Sequence, residues 1–306
     1  MKKPFKAYFA ERGSRAAEQT NAEAGFTLVE LLAILAVVAL TVPVLARGVN
    51  RQGVRGESVR CLNNLRQLTV VWALYAADNS GKVANNFGVS ETMATINSGT
   101  LVNWANNVMS WDTSQLNTNQ DLLRKGVWGP YLNGRIGLYQ CPADRYLSPV
   151  QTAAGWTQRT RSISMNSVFG RFSSASTGDP TATGLNWAFP QYRQYLTQAA
   201  VPKPAKTWLL VEEHPDSIND GYYVNNPSQH NWQDIPASYH DASCGFAFSD
   251  GHVEMRHWLS QASRYPVQYF YPTTRTFDTA GQADYAWYLE RTGYVLVSTG
   301  QGAFNY

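Results

Sequence analysis

The first feature of the chain is a long apolar run near its N-terminus. Residues 26–46 form a run of 21 residues in which Glu30 carries the one charge. At about 1.5 Å per residue, a helix of this length spans roughly 30 Å, the thickness of one hydrocarbon core. The run predicts a transmembrane helix, with the bulk of the chain on one side of a membrane.

A second helical pattern follows this run. Pro43 predicts a kink, and apolar side chains then recur every three or four positions over residues 57–78. They are Leu62, Leu65, Leu68, Trp72 and Tyr75. This spacing gives one apolar stripe on an amphipathic helix. We therefore expect an interrupted N-terminal helix over residues 26–80.

From residue 81 the pattern changes to short apolar runs between turn residues, which predicts strands. The candidate strands are residues 138–140, 162–165, 207–211, 245–248 and 252–256. Residues 84–121 and 166–205 have the composition of loop-rich insertions. The expected architecture is α+β, with the long N-terminal helix packed on an antiparallel sheet in a globular domain over residues 81–306.

The segment 240–258 predicts a β-hairpin. Asp250-Gly251 is typical of a two-residue type I′ loop. That loop would place Phe248 opposite Val253 and Phe246 opposite Met255.

Composition narrows the function. The 306 residues are 44% apolar and 13% aromatic, enough for a packed core rather than a disordered chain. A net charge of +3 without a basic run argues against nucleic acid as a partner. The sequence contains no H-E-x-x-H, EF-hand or G-x-S-x-G motif, so we expect a protein that is not an enzyme.

Three cysteines are too few for a disulfide scaffold, but one pair is a candidate bond. Cys61 on the amphipathic helix and Cys141 in the domain would form a disulfide in an oxidising compartment. Sequence leaves this bond open, because their separation in space is not known.

The first 25 residues allow two interpretations. A secretory signal would be removed after residue 46. The polar stretch 1–25 is long for such a signal, however, and its five basic and three acidic residues favour a cytoplasmic leader.

The junction Gly25-Phe26-Thr27-Leu28-Val29-Glu30 resembles the processing site of type IV pilins and type II secretion pseudopilins. The resemblance implies that prepilin peptidase cuts between Gly25 and Phe26 and methylates the new N-terminus. It also implies that Glu30 meets the N-terminal amine of a neighbouring subunit during assembly. An acid inside an apolar span is costly unless it is paired, which fits that role.

A second segment is similar to the same family. His240, nine residues and then Asp250-Gly251 match the H-X9-DG signature of prepilin-type proteins with large globular domains. Four further pieces match in order: residues 61–68, residues 75–79, Cys141-Pro142-Ala143-Asp144 and Met165-Asn166. Residues 82–137 and 166–205 carry no matching piece.

The resemblance implies a single-pass subunit of the bacterial inner membrane with a periplasmic domain. It would assemble, with other pilin or pseudopilin subunits and an inner-membrane platform, into a type II secretion pseudopilus or a type IV pilus-like fibre.

Two alternatives remain. One is a membrane-tethered module that binds a glycan or a protein through tryptophans in its loops, which are Trp104, Trp111, Trp128, Trp156, Trp187 and Trp232. The other is a tethered metallohydrolase built on His240, Asp250 and His252, with Glu212, Glu213 and His214 as further ligand types. We assign no metal ligands and expect no cofactor, although calcium is the ion to test because related pseudopilins include calcium binders.

Overall fold

The computed structural model describes residues 27–174, 179–271 and 275–297, and for residues 40–54 it describes the backbone alone. The leader at residues 1–25 and the processing residues Gly25 and Phe26 lie outside the described residues. Contacts divide the chain into two compact units, Met1–Asn50 and Arg51–Tyr306. The second unit contains the sheet.

The bounds of the regular elements are as follows. The α-helices are α1 (Leu28–Asp78), α2 (Val89–Ser98), α3 (Asp121–Arg124), α4 (Pro149–Ala153) and α5 (Thr279–Thr292). The strands are β1 (Ile163–Asn166), β2 (Trp208–Glu212), β3 (Tyr222–Tyr223), β4 (Ser243–Phe248) and β5 (Val253–His257).

The sheet is mixed, so the predicted antiparallel sheet is wrong. Its order is β3-β1-β2-β4-β5, and β1 pairs with β3 in parallel while the other pairs are antiparallel. The chain leaves β2 at Glu212, which lies opposite Ile163 at the start of β1. It then returns on the far side of β1, where Tyr222 pairs with Met165, so β3 runs in the same direction as β1.

The membrane-spanning part of the predicted architecture is also not found. Within the residues that the structure describes, no helix combines the length and the apolar character needed to cross a membrane. Of the predicted span at 26–46, Phe26 and the side chains of residues 40–46 lie outside the described residues. The fold is therefore a five-stranded mixed sheet with several helices.

One face of α1 between residues 57 and 78 supplies part of the domain core. Its fully buried apolar side chains recur every three or four residues: Cys61, Leu65, Leu68, Trp72 and Ala76. Val59, Val70 and Leu74 lie on the other face and are about half exposed or more. Trp72 packs edge-to-face on Phe169, with ring centroids 5.9 Å apart. This stripe joins the helix to the core around the sheet.

Four of the five predicted strands overlap observed ones, and the fifth prediction is wrong. Residues 138–140 fall mainly in a short 3-10 helix, Ile136–Tyr139. The apolar side chains of this helix are buried, but its backbone does not pair with a strand. The insertion at 84–121 contains α2, and α5 was not predicted. The buried face of α5 includes the aromatic side chains of Tyr285 and Tyr288, which pack among other rings. The helix was missed because its sequence has no aliphatic stripe.

The β4–β5 hairpin differs from the predicted one by one residue. Ala247 pairs with Val253 and Gly245 pairs with Met255, so the loop has three residues, 249–251. Gly251 donates its N–H to the Phe248 carbonyl and has a φ of +99°. A three-residue loop with glycine in the left-handed region is the next most common hairpin connection after the two-residue one.

A buried polar network lies at one end of β1. Arg161 is fully buried, and its guanidinium donates to the carbonyls of Ile163 (2.8 Å) and Asp220 (2.7 Å). The carboxylate of Asp220 accepts the Tyr222 N–H at 2.8 Å. Burial raises the pKa of Asp220 to about 7, although that hydrogen bond and the Arg161 charge act in the opposite direction.

Asp220→Asn is expected to change how stability depends on pH. The unfolded Asp220 ionises near its ordinary pKa of about 3.9, whereas the folded one keeps its proton to about pH 7. The free energy of unfolding of the wild type therefore falls between these pH values, by at most roughly 4 kcal/mol from this residue. Asparagine still accepts the Tyr222 N–H but does not titrate.

Chemical denaturation of both proteins at pH 4, 5.5 and 7.5 checks this. The stability of the variant relative to the wild type should rise with pH across this interval. A constant difference would show that Asp220 titrates normally.

Candidate functional site

Four potential ligand side chains meet in the interior beside the sheet. Cys61, Cys141, Glu212 and His240 each place one donor atom in a group whose members all lie within 4.8 Å of one another. The first three are fully buried and His240 is 3% exposed. We call this group the tetrad.

Each member comes from a different part of the domain. Cys61 begins the buried stripe of α1, and Cys141 follows the 3-10 helix Ile136–Tyr139. Glu212 is the last residue of β2, and His240 lies three residues before β4. A turn with Asp241 and Ala242 at positive φ (52° and 61°) joins His240 to that strand. The tetrad therefore connects segments that are far apart in the sequence.

The carboxylate of Glu212 is at the centre of the hydrogen bonds. Its Oε1 accepts from the Cys61 thiol at 2.5 Å and lies 3.0 Å from His240 Nε2. Its Oε2 accepts the backbone N–H of Gly245 at 2.5 Å. His240 Nε2 lies 3.2 Å from Cys141 Sγ. Both oxygens of the buried acid therefore have partners.

The absence of a side chain at Gly245 leaves room for this arrangement. A Cβ there would lie 2.7 Å from Leu65 Cδ1 of α1 and 3.1 Å from Glu212 Oε2. Any larger residue would push the helix or the carboxylate away from β4.

The electrostatics of the tetrad favour an ion pair when no metal is bound. Burial alone would raise the pKa of Glu212, but the hydrogen bond and charge of His240 hold it below its usual range. Burial alone would lower the pKa of His240, but contacts with Cys141 and Glu212 raise it to about 10. Burial raises the pKa of the Cys61 thiol well above its usual value. The expected state is a carboxylate and an imidazolium beside a protonated Cys61 thiol.

The arrangement does not match a cysteine-histidine-acid catalytic triad. In such a triad one ring nitrogen faces the nucleophile and the other faces the acid. Here the same atom, His240 Nε2, faces both Cys141 and Glu212. Nδ1 of His240 is buried and has no hydrogen-bond partner among the described residues. The tetrad is instead a set of converging ligand atoms.

The two cysteines proposed for a disulfide are both members of the tetrad. In the structure Cys61 and Cys141 are free thiols. The Cys61 sulfur donates to Glu212, and the Cys141 sulfur faces His240. The third cysteine, Cys244, is also buried. Its sulfur lies 3.4 Å from the backbone carbonyl oxygen of Glu212, and it is not a member of the tetrad.

The H-X9-DG signature occupies both ends of β4. His240 lies before the strand, in the tetrad, and Asp250-Gly251 forms the hairpin loop after it. Asp250 accepts from the backbone N–H of His252 and pairs with its ring at 2.6 Å. Because β4 has six residues, its ends are roughly 20 Å apart. His240, Asp250 and His252 therefore do not converge on one metallohydrolase site.

Three of the six tryptophans in the predicted loops are internal, and Trp111, Trp156 and Trp187 are partly exposed. Trp104, Trp128 and Trp232 are at most 1% exposed and form part of the aromatic core. Trp187 is 46% exposed but stacks on Phe172, with ring centroids 3.9 Å apart. Three of the six rings are therefore not available to a glycan or a protein.

Glu30, predicted to act in assembly, lies in the first turn of α1. Its Oε2 accepts from the Thr27 N–H (2.9 Å) and the Thr27 hydroxyl (2.8 Å), and its own N–H faces Thr27 Oγ1 at 3.3 Å. This reciprocal pattern is a capping box. In the structure this carboxylate caps the start of the helix.

Sequence reasoning named all four tetrad members but did not bring them together. It treated Cys61 and Cys141 as a disulfide candidate, and it placed His240 and Glu212, without the cysteines, among the candidate ligands of a metallohydrolase. The available signal was Glu212, an acid directly after the buried apolar run Trp208–Val211. A charge at the end of such a strand requires partners from elsewhere in the fold.

Comparison with known proteins adds no assignment. No family model, no curated protein and no solved structure matches the chain.

Gly245→Ala tests how tightly the tetrad is packed. The new Cβ would meet Leu65 and the Glu212 carboxylate, and such overpacking costs about 1–3 kcal/mol. Gly137→Ala is the matched control, since a Cβ at Gly137 meets nothing within 4 Å. Urea denaturation should show a loss of stability for Gly245→Ala and a change within about 0.5 kcal/mol for Gly137→Ala. Equal effects would contradict the packing described above.

Proposed function

We propose that the chain is a pilin-like structural subunit. Prepilin peptidase would cut between Gly25 and Phe26, and the mature subunit would assemble with others into a type II secretion pseudopilus or a type IV pilus-like fibre. Its globular domain would lie in the periplasm. The proposal starts from the junction sequence from Gly25 to Glu30.

The observation that carries the proposal is the exposed apolar surface at the start of α1. Six large apolar side chains between residues 28 and 35 are 47–75% exposed: Leu28, Val29, Leu31, Leu32, Ile34 and Leu35. Apolar side chains exposed all around a helix require a cover. In the proposed assembly, the same segments of neighbouring subunits provide it.

The chemistry of Glu30 supports the same proposal. Cutting after Gly25 creates an amine one residue before Thr27, close to the end of the helix where the Glu30 carboxylate lies. An acid and an amine from two subunits would offset the cost of removing each charge from water. Such a pair would also fix the axial register between subunits.

The domain supports a structural rather than a catalytic role. Two of its buried polar groups, the Arg161 network and the tetrad, hold separate segments of the chain together. The tetrad has no exposed member through which a substrate could reach it.

The mature N-terminus provides a direct test. Mass spectrometry of the protein isolated from its native cells should show a chain that begins at Phe26 and carries one methyl group on the terminal amine. A chain that begins at residue 47 would instead indicate a secretory signal and would refute the proposal.

Variants of Glu30 separate assembly from capping. Gln at this position still completes a capping box, because its amide oxygen accepts from Thr27, but it removes the charge. We expect Glu30→Gln and Glu30→Ala both to be processed at Gly25 and both to be absent from sheared fibre fractions. Incorporation of Glu30→Gln at the wild-type level would limit the role of Glu30 to the cap.

A further inference from the structure

We infer that the tetrad of Cys61, Cys141, Glu212 and His240 is a structural zinc site. It would fasten the amphipathic part of α1 to the sheet. The inference does not depend on the proposed function, because it concerns how the domain is held together.

The donor atoms match the chemistry of zinc. Two sulfurs, one imidazole nitrogen and one carboxylate oxygen make four ligands, the number found in structural zinc sites. Calcium and magnesium prefer oxygen ligands in larger numbers or with retained water. The two thiols therefore favour a borderline-soft ion over the calcium considered from sequence.

The spacing of the atoms fits one central ion. At zinc–ligand distances of about 2.0–2.3 Å, the corners of a tetrahedron are roughly 3.3–3.8 Å apart. All four donor atoms of the tetrad lie within 4.8 Å of one another, and three of their contacts are 2.5, 3.0 and 3.2 Å. Small outward movements of side chains would open a cavity for the ion.

The charges in the loaded site are also partly balanced. Two thiolates and one carboxylate around Zn²⁺ leave a net charge of −1, since the imidazole is neutral. Two backbone groups already point at the ligands: the Gly245 N–H contacts Glu212 Oε2, and the Ala143 N–H lies 3.4 Å from Cys141 Sγ. These donors would stabilise the excess negative charge.

The closed character of the site indicates a structural ion. Four protein ligands leave no position for water or substrate, and the members are buried. The ligands come from α1, from the segment after residue 139, from β2 and from the turn before β4. One ion would therefore join segments that are 80 to 179 positions from Cys61 along the chain.

The alternative use of the cysteines is a disulfide. That bond would remove both sulfurs from Glu212 and His240 and leave those two as an isolated buried ion pair. In the structure both are free thiols, and Cys61 Sγ contacts Glu212 while Cys141 Sγ contacts His240. The two sulfurs also lie within 4.8 Å of each other, so the experiment includes a reduction step that distinguishes ligation from oxidation.

The experiment uses full-length protein purified without a polyhistidine tag. Metal analysis should find one zinc per chain, either as isolated or after reduction, reconstitution with zinc chloride and removal of the excess. Removing the zinc with a chelator should lower the midpoint of thermal unfolding. Replacement by Co²⁺ should produce the intense near-ultraviolet absorption of cobalt–thiolate bonds.

Variants then test the individual ligands. Cys141→Ala and Glu212→Gln should weaken zinc binding at least about 100-fold. Cys244→Ala is the matched control, because Cys244 is equally buried and close by but is not a member of the tetrad. It should retain one zinc per chain and the cobalt–thiolate absorption. The cobalt spectrum of the wild type gives a test that does not depend on whether a variant folds.

Three results would overturn the inference. One is the absence of stoichiometric zinc after reduction and reconstitution. Another is a Cys61–Cys141 disulfide in the isolated protein that, once reduced, does not take up the ion. The last is full zinc binding by folded Cys141→Ala.

Discussion

The carboxylate of Glu212 is the constraint on which the arrangement around it depends. It is fully buried at the end of an apolar strand, where an unpaired charge would cost several kcal/mol. Partners from α1, from the turn before β4 and from β4 itself satisfy its two oxygens. Each of these segments must be in place before the acid is stable, so the tetrad couples the docking of α1 to the formation of the sheet.

The same region shows how close packing and polar chemistry depend on each other. Leu65 of α1 approaches β4 at a position where the chain has no side chain, Gly245. That approach brings Cys61, one turn earlier on the same face, within reach of Glu212. The apolar stripe thus does more than bury surface, because it sets the distance at which a polar group on the helix meets its partners.

The sequence predicted the features that depend on local periodicity. The stripe containing Leu65 and Leu68 has the period of a helix, and the runs at 207–211 and 245–248 are apolar enough to be strands. The bounds of β2 and β4 were therefore predicted to within two residues from the sequence alone. The parallel pairing of β3 with β1 could not be predicted. β3 consists of two tyrosines, and the path of the preceding loop determines which strand they pair with and in which direction.

The tetrad was inaccessible for a related reason. Its hydrogen-bonded members are 28 to 151 positions apart in the sequence, and no local pattern reports such contacts. The predicted hairpin loop was one residue too short, because an Asp-Gly pair fits both a two-residue loop and the end of a three-residue loop. That one residue reversed which side chains oppose each other, and Phe246 lies opposite Glu254 rather than Met255.

The two ends of the H-X9-DG signature carry separate tasks, and β4 sets the distance between them. His240 must reach the buried acid, and Gly251 must turn the chain into β5. Both faces of β4 are buried: Gly245 faces Leu65 of α1, and Phe246 packs on Trp258 and Trp287. Successive side chains of a strand point to opposite faces, so adding or removing one residue between the two ends would exchange the side chains that meet these two layers. The spacing of nine residues therefore keeps the glycine against the helix while His240 reaches the acid and Gly251 forms the turn.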